Sequence, residues 1–136
     1  MATQDEMQKL AMEMNYYRTQ AEEVQTQITQ INNLIRENAG AREALKALPV
    51  KDESLFAIGE GVFVKAKPSS DKVLIEIGAR VVVEKTFEEA DGIIEARNSQ
   101  LVKALASMQD SMQELSRRMA ELNQKAEALQ GNSGTN

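Results

Sequence analysis

Residues 72–87 read KVLIEIGARVVVEKTF, two runs of β-branched and aliphatic residues around Gly78-Ala79-Arg80. Alternation with Lys and Glu on either side of a glycine is the pattern of a β-hairpin, and Gly78 is placed to open the turn with positive φ. Upstream, SLFAIGEGVFVKAK (residues 54–67) repeats the theme, with Gly59 and Gly61 permitting a bulge or tight turn. Strands are expected at 55–58, 62–67, 72–77 and 81–86, with Pro68-Ser69-Ser70-Asp71 turning a long hairpin between the second and third. Nearly everything outside this central segment has helical periodicity, so the only strands lie between two long helices.

In the first helical segment the large or apolar residues are Met7, Leu10, Met14, Tyr17, Ala21, Val24, Ile28, Ile31 and Ile35. The steps alternate three and four without a break, which marks the seam of a coiled coil. The second segment does the same at Leu101, Leu105, Met108, Met112, Leu115, Met119, Leu122, Ala126 and Leu129. TQDE at 3–6 and TFEE at 86–89 both fit the capping box that satisfies free N–H groups at a helix start. Pro49 is expected to stop the first helix and GNSGTN (131–136) the second.

Folded back antiparallel, the seams match when Met7 faces Leu129, Tyr17 faces Met119, Val24 faces Met112 and Ile35 faces Leu101. This alignment sets Asn38 against Asn98, the two gaps in the heptad pattern. Such a pair costs stability but penalises slipped alignments. Small residues beyond it (Ala39, Gly40 and Ala44, facing Gly92 and Ala96) suggest a close helix approach. The expected organisation is an N-terminal coiled-coil helix over 1–48, a β-hairpin oligomerisation region over 49–86, a C-terminal coiled-coil helix over 87–130 and a disordered tail over 131–136.

Four short strands bury too little apolar area to be stable alone. Val81-Val82-Val83 and Val62-Phe63-Val64 are apolar on consecutive positions, more than one buried face requires. The central segment is therefore expected to pair with strands of other chains in an intersubunit β-barrel, removing exposed edges. Val62, Val64, Ile75, Val81, Val82 and Val83 are the candidate oligomerisation residues. Near the chain ends, two helices alone cannot cover Met7, Leu10, Met12, Met14, Met119, Leu122 and Leu129. These apolar side chains are expected to stay partly uncovered. The fold class is α+β: a long antiparallel two-helix coiled coil with two central hairpins.

Composition narrows the function. The 136 residues include no Cys, His or Trp, and only 4% are aromatic, so neither a disulfide framework nor a large globular core is expected. The formal charge of −5 divides as seven acidic against five basic residues over 1–50, six against six over 51–86, and eight against five over 87–136. No segment is basic enough to track phosphates, so nucleic acid is not an expected partner. The start MATQDEMQKL has no apolar h-region and no run approaches a membrane span, so the expectation is a cytoplasmic protein with no membrane partner. Gly59-Glu60-Gly61 lacks the third glycine of a dinucleotide loop, since Val64 stands there, and Glu88-Glu89 suits a helix start. No catalytic, cofactor or metal site is expected, and the chain is not read as an enzyme.

The order helix, two hairpins, helix, with FAIGEGVFVKAK (56–67), DKVLIEIGARVVVEKTFEEA (71–90) and the paired heptads, resembles the α-subunit class of the prefoldin family, of archaeal type. The resemblance covers about residues 5–130, and the second hairpin points to the α rather than the β class. It implies a hexamer in which this chain and a second copy of itself pair centrally through their hairpins and four β-type subunits add theirs. It further implies ATP-independent capture of unfolded proteins at the coiled-coil tips and delivery to a group II chaperonin. The alternative is a structural coiled-coil scaffold without client binding.

Overall fold

A computed structural model of the chain describes residues 2–48 and 53–133, with side chains described over 4–48 and 53–131. The order is α1 (Ala2–Ala47), β1 (Ser54–Gly59), β2 (Val62–Ala66), β3 (Lys72–Gly78), β4 (Val81–Thr86) and α2 (Phe87–Ser133). The chain divides into unit 1, built of Met1–Asn33 and Lys103–Asn136, and unit 2, Leu34–Val102.

The capping box at Thr86 is present in both directions. The Thr86 N–H donates to Glu89 Oε1 at 3.0 Å, and the Glu89 N–H donates to Thr86 Oγ1 at 3.1 Å. Hydrogen bonds from Thr86 hold the Glu89 carboxyl below its ordinary range, so it stays ionised where the helix presents free N–H groups. At the other expected box the helix already includes Ala2 and Thr3, so Thr3 does not precede the first turn; its side chain lies outside the described residues. So does Pro49, the expected stop of α1. The last bond there runs from the Leu48 N–H to the Ala44 carbonyl, 3.0 Å. The second helix continues to Ser133 rather than stopping at residue 130. Gly131 costs a helix about 1 kcal/mol relative to Ala, too little to halt one already propagating. Residues 134–136 lie outside the described residues.

Both hairpins turn the same way. Glu60 (φ 51°) and Gly61 (φ 77°) form a two-residue loop between β1 and β2, and Ala79 (φ 47°) and Arg80 (φ 62°) form one between β3 and β4. Positive φ at both central positions is the type I′ turn, whose twist matches that of paired strands. Each hairpin also carries one extra residue just before its turn glycine, Ile58 before Gly59 and Ile77 before Gly78. The sequence holds the reason in a form easily overlooked. Leu55, Ile58, Gly59, Val62 and Val64 recur 19 positions later as Leu74, Ile77, Gly78, Val81 and Val83. Pro68–Asp71 is not a hairpin turn, because among the described residues the strands form two separate sheets, β1-β2 and β3-β4. It links the hairpins, with the Lys72 N–H on Ser70 Oγ (3.2 Å) and the Phe87 N–H on the Asp71 carbonyl (3.3 Å).

Within each unit the helical segments pack antiparallel in the expected register. In unit 1, Tyr17 is met by Arg118, next to its expected partner Met119. In unit 2, Arg42 grips Asp91 and reaches Glu95, on either side of the expected position Ile94. Among the described helical residues burial follows the seam: Ile28, Leu45, Ile94 and Leu122 are buried, the other seam residues named from the sequence are partly covered, and Ala90 is buried beside the seam. The expected approach at the small residues is not found. Ala39, Gly40, Ala44, Gly92 and Ala96 are all exposed, and a Cβ at Gly40 or Gly92 would meet nothing within 4 Å. The three-four spacing simply runs on through polar residues, from Ile35 to Asn38, Arg42 and Leu45, and from Leu101 back to Asn98, Ile94 and Asp91. Asn38 and Asn98 are both half-buried, and Asn98 Oδ1 is buried without a hydrogen-bond partner. The amide at 98 is therefore a cost to the fold, not a satisfied pair.

Candidate assembly and client-binding surfaces

The core of unit 2 is small. Leu45 of α1, Ile75 of β3, and Ala90 and Ile94 of α2 form its centre, with Leu48, Val73, Val83, Phe87 and Ile93 packed around them. The pleat explains the selection, since Val73 and Ile75 pair with Lys85 and Val83 on the inner face of the β3-β4 hairpin. Ile75 is only 9% exposed. Arg97 of α2 donates to the Glu76 carbonyl, tying the hairpin to the helix. Below it, Arg42 binds Asp91 through two bonds, Nε to Oδ1 at 2.7 Å and Nη2 to Oδ2 at 3.2 Å. Those bonds hold the Asp91 carboxyl below the usual carboxylate range.

The expected oligomerisation residues therefore split into two sets. Val62, Val64, Val81 and Val82 are exposed; Ile75 and Val83 face the chain's own core. The split has a plain cause: alternate residues of β3 and β4 seat the hairpin on the helices. The outer side of that hairpin keeps Leu74, 74% exposed, and Val82 among Lys72, Glu76 and Glu84. The β1-β2 hairpin is open on both faces. Phe56 pairs with Val64 on one, Ala57 with Phe63 on the other beside Leu55, and these large side chains are all exposed together with Ile58. A two-stranded hairpin with two uncovered apolar faces is marginal in water and marks an interaction surface.

The helix ends in unit 1 form the second surface. A groove of about 400 Å³ is lined by Leu10, Ala128 and Leu129, with Glu6, Lys9, Glu13 and Lys125 at its rim. Met7, Leu10, Met14, Met119 and Leu129 are half-covered along the seam, and Met12 is exposed on the outside of α1. Leu122, by contrast, is only 5% exposed and enclosed by the helix pair. A polar cluster also lies on this unit, outside the residues singled out from the sequence. Arg118 donates to Tyr17 Oη at 3.1 Å and stacks over its ring, while Arg117 and Arg118 share Glu114 and Arg117 also reaches Glu121. Its signal was present in the Glu114, Arg117, Arg118 and Glu121 spacings of three, four and seven.

Among the described residues no group of three or more His, Cys, Asp or Glu is placed to hold a metal, and no helix is long and apolar enough to cross a membrane.

The family model for the prefoldin subunit matches residues 17–132. The chain belongs to the prefoldin family. Prefoldin subunit alpha of Nitrosopumilus maritimus is 33% identical over 135 residues, covering 94% of this chain and 93% of that one. Prefoldin subunit alpha of Methanobrevibacter smithii is 30% identical over 132 residues, covering 95% and 90%. Among solved structures, a chain of the filamentous PFD from Methanocaldococcus jannaschii, determined by cryo-EM, aligns with a TM-score of 0.67 at 23% identity. That alignment covers 82% of this chain and 96% of the other, and it bears out the fold of two long helices joined by two antiparallel hairpins.

Proposed function

We propose that this prefoldin chain is the α-type subunit of an ATP-independent cytoplasmic chaperone and performs no catalysis. Its hairpins join those of a second copy and of four β-type subunits, its helix ends hold unfolded proteins, and the held protein passes to a group II chaperonin. The observation that carries the reading is the β1-β2 hairpin, apolar on both faces and covered on neither. Burying such a surface in strands of sibling chains removes open edges and multiplies the helix ends presented to one client. Weak contacts made by Met and Leu then add in avidity while each stays reversible.

The test removes residues 1–10 and 125–136, which deletes the groove walls and spares buried Leu122. It is made in the full complex with β-type subunits, whose helix ends are trimmed in parallel. Assembly mass by native mass spectrometry should be that of the trimmed hexamer. Light scattering from a chemically unfolded client should rise to the level seen without chaperone. If the trimmed complex suppresses aggregation as well as the intact one, client capture by the helix ends is wrong and the chain is a scaffold.

A further inference from the structure

The chain has seven Met, two Tyr and no Cys, Trp or His, so its oxidisable side chains are confined to two residue types. All of them fall in unit 1: Met1, Met7, Met12, Met14, Tyr16, Tyr17, Met108, Met112 and Met119. Unit 2, about half the chain, contains none, and its core is Leu, Ile, Val, Ala and Phe. Leu and Ile fill seam positions in both units, so size and apolarity alone do not call for Met in unit 1.

We infer that unit 1 is an oxidant-responsive half of the chain, in which sulfoxidation of seam methionines by a peroxide-class oxidant loosens the helix pair while unit 2 stays folded. In the step, a thioether lone pair attacks the distal oxygen of hydrogen peroxide. The S–O bond forms as the O–O bond breaks, sulfur is oxidised by two electrons, and the departing hydroxide gains the remaining proton to leave as water. Met12, 73% exposed on the outside of α1, reacts without cost to the seam. Met14, Met108, Met112 and Met119 are partly exposed and sit at seam positions. A sulfoxide there turns a flexible apolar side chain into a polar one on a seam whose buried residues include Ile28 and Leu122. Sulfoxide reduction reverses the change, so the device resets. The inference does not depend on what the helix ends bind.

The test treats the full-length assembled protein with hydrogen peroxide and follows two readouts. Peptide mass spectrometry should show Met12 modified first and the seam methionines next. Hydrogen exchange should then accelerate at least tenfold in helical amides of 2–33 and 103–133, with 54–102 unchanged, and methionine sulfoxide reductases should restore the original rates. A variant with Met7, Met14, Met108, Met112 and Met119 replaced by Leu should keep slow exchange although Met12 is oxidised. Met112→Gln with Met119→Gln should loosen unit 1 without oxidant, so the idea stays testable if the leucine variant misassembles. Seam methionines that stay unmodified after Met12 is fully oxidised would overturn the inference. So would sulfoxidised seams with unchanged exchange, or equal loosening of residues 54–102.

Discussion

Ile75 and Val82 sit on opposite faces of the same hairpin, and replacing each separates folding from assembly. Ile75→Ala removes three methyl or methylene groups from a site that is 9% exposed. At about 0.8 kcal/mol each that is about 2.4 kcal/mol, and the residual cavity brings the loss to about 3–4 kcal/mol. Among the described residues the unit 2 core has four buried side chains, so little else can compensate. A loss of that size lowers Tm by about 10 °C. Val82→Asp instead alters a side chain already half in water, and costs the isolated chain about 1 kcal/mol or less. In an assembly that covers Val82 it forfeits about 1.5–3 kcal/mol of burial and strands a carboxylate, so dissociation should rise at least about tenfold. Thermal melts followed at 222 nm and sedimentation velocity read the two effects independently. If Val82→Asp leaves the oligomer intact, or Ile75→Ala melts like wild type, the assignment of inner and outer faces is wrong. Val83→Asp belongs with Ile75→Ala, because Val83 packs on the chain's own core.

Asp91→Asn removes the charge that Arg42 holds, so Tm should fall at neutral pH and match wild type in acid. A depressed carboxylate pKa stabilises above its unfolded value and is lost as pH falls through the folded one, which places the convergence below about pH 4; melting curves from pH 7 to pH 2.5 that stay parallel would refute it. Arg80→Gly should raise Tm by a few degrees, since Arg80 holds φ 62° at the position where the sister hairpin has Gly61, and a non-glycine residue there costs about 1 kcal/mol. An unchanged or lower Tm by calorimetry counts against that turn strain. Asn38→Leu with Asn98→Leu should stabilise the coil by about 1–3 kcal/mol by removing a buried unpaired amide oxygen, while allowing alternative alignments. Cysteines placed at 38 and 98 in an otherwise wild-type chain should cross-link within one protomer, and failure to do so rules out the register.

The helices were legible because their pattern is local and redundant. Eighteen seam positions repeat one spacing, so a few exceptions cannot hide the period or the antiparallel alignment. The hairpin turns were legible from Gly59, Gly61 and Gly78 for a similar reason, although the duplication of one hairpin in the other lay unread at an offset too short to look like a domain repeat. Pro68–Asp71 misled because turn residues mark where a chain bends and carry no information on which strands pair across the bend.

Burial was harder to read, and the misses share one physical cause. Whether Val83 faces a sibling chain or its own helices depends on a platform, Leu45, Ala90 and Ile94, assembled from residues distant in sequence. The run Val81-Val82-Val83 looks equally apolar on both faces, and only the docking of one face makes Val83 core and leaves Val82 exposed. Leu122 presents the converse case, since its neighbours Met119 and Leu129 on the same seam are half-covered while it is enclosed. The small residues at 39, 40 and 44 suggested close packing, but the three-four spacing, carried on past Asn38 and Asn98, reaches Arg42 and Asp91 instead. Their mutual charge pairing lets polar side chains occupy positions that apolar ones hold elsewhere. A seam defined by spacing alone thus outperforms one defined by hydrophobicity, because the backbone geometry of a helix pair fixes which positions meet before chemistry decides what fills them.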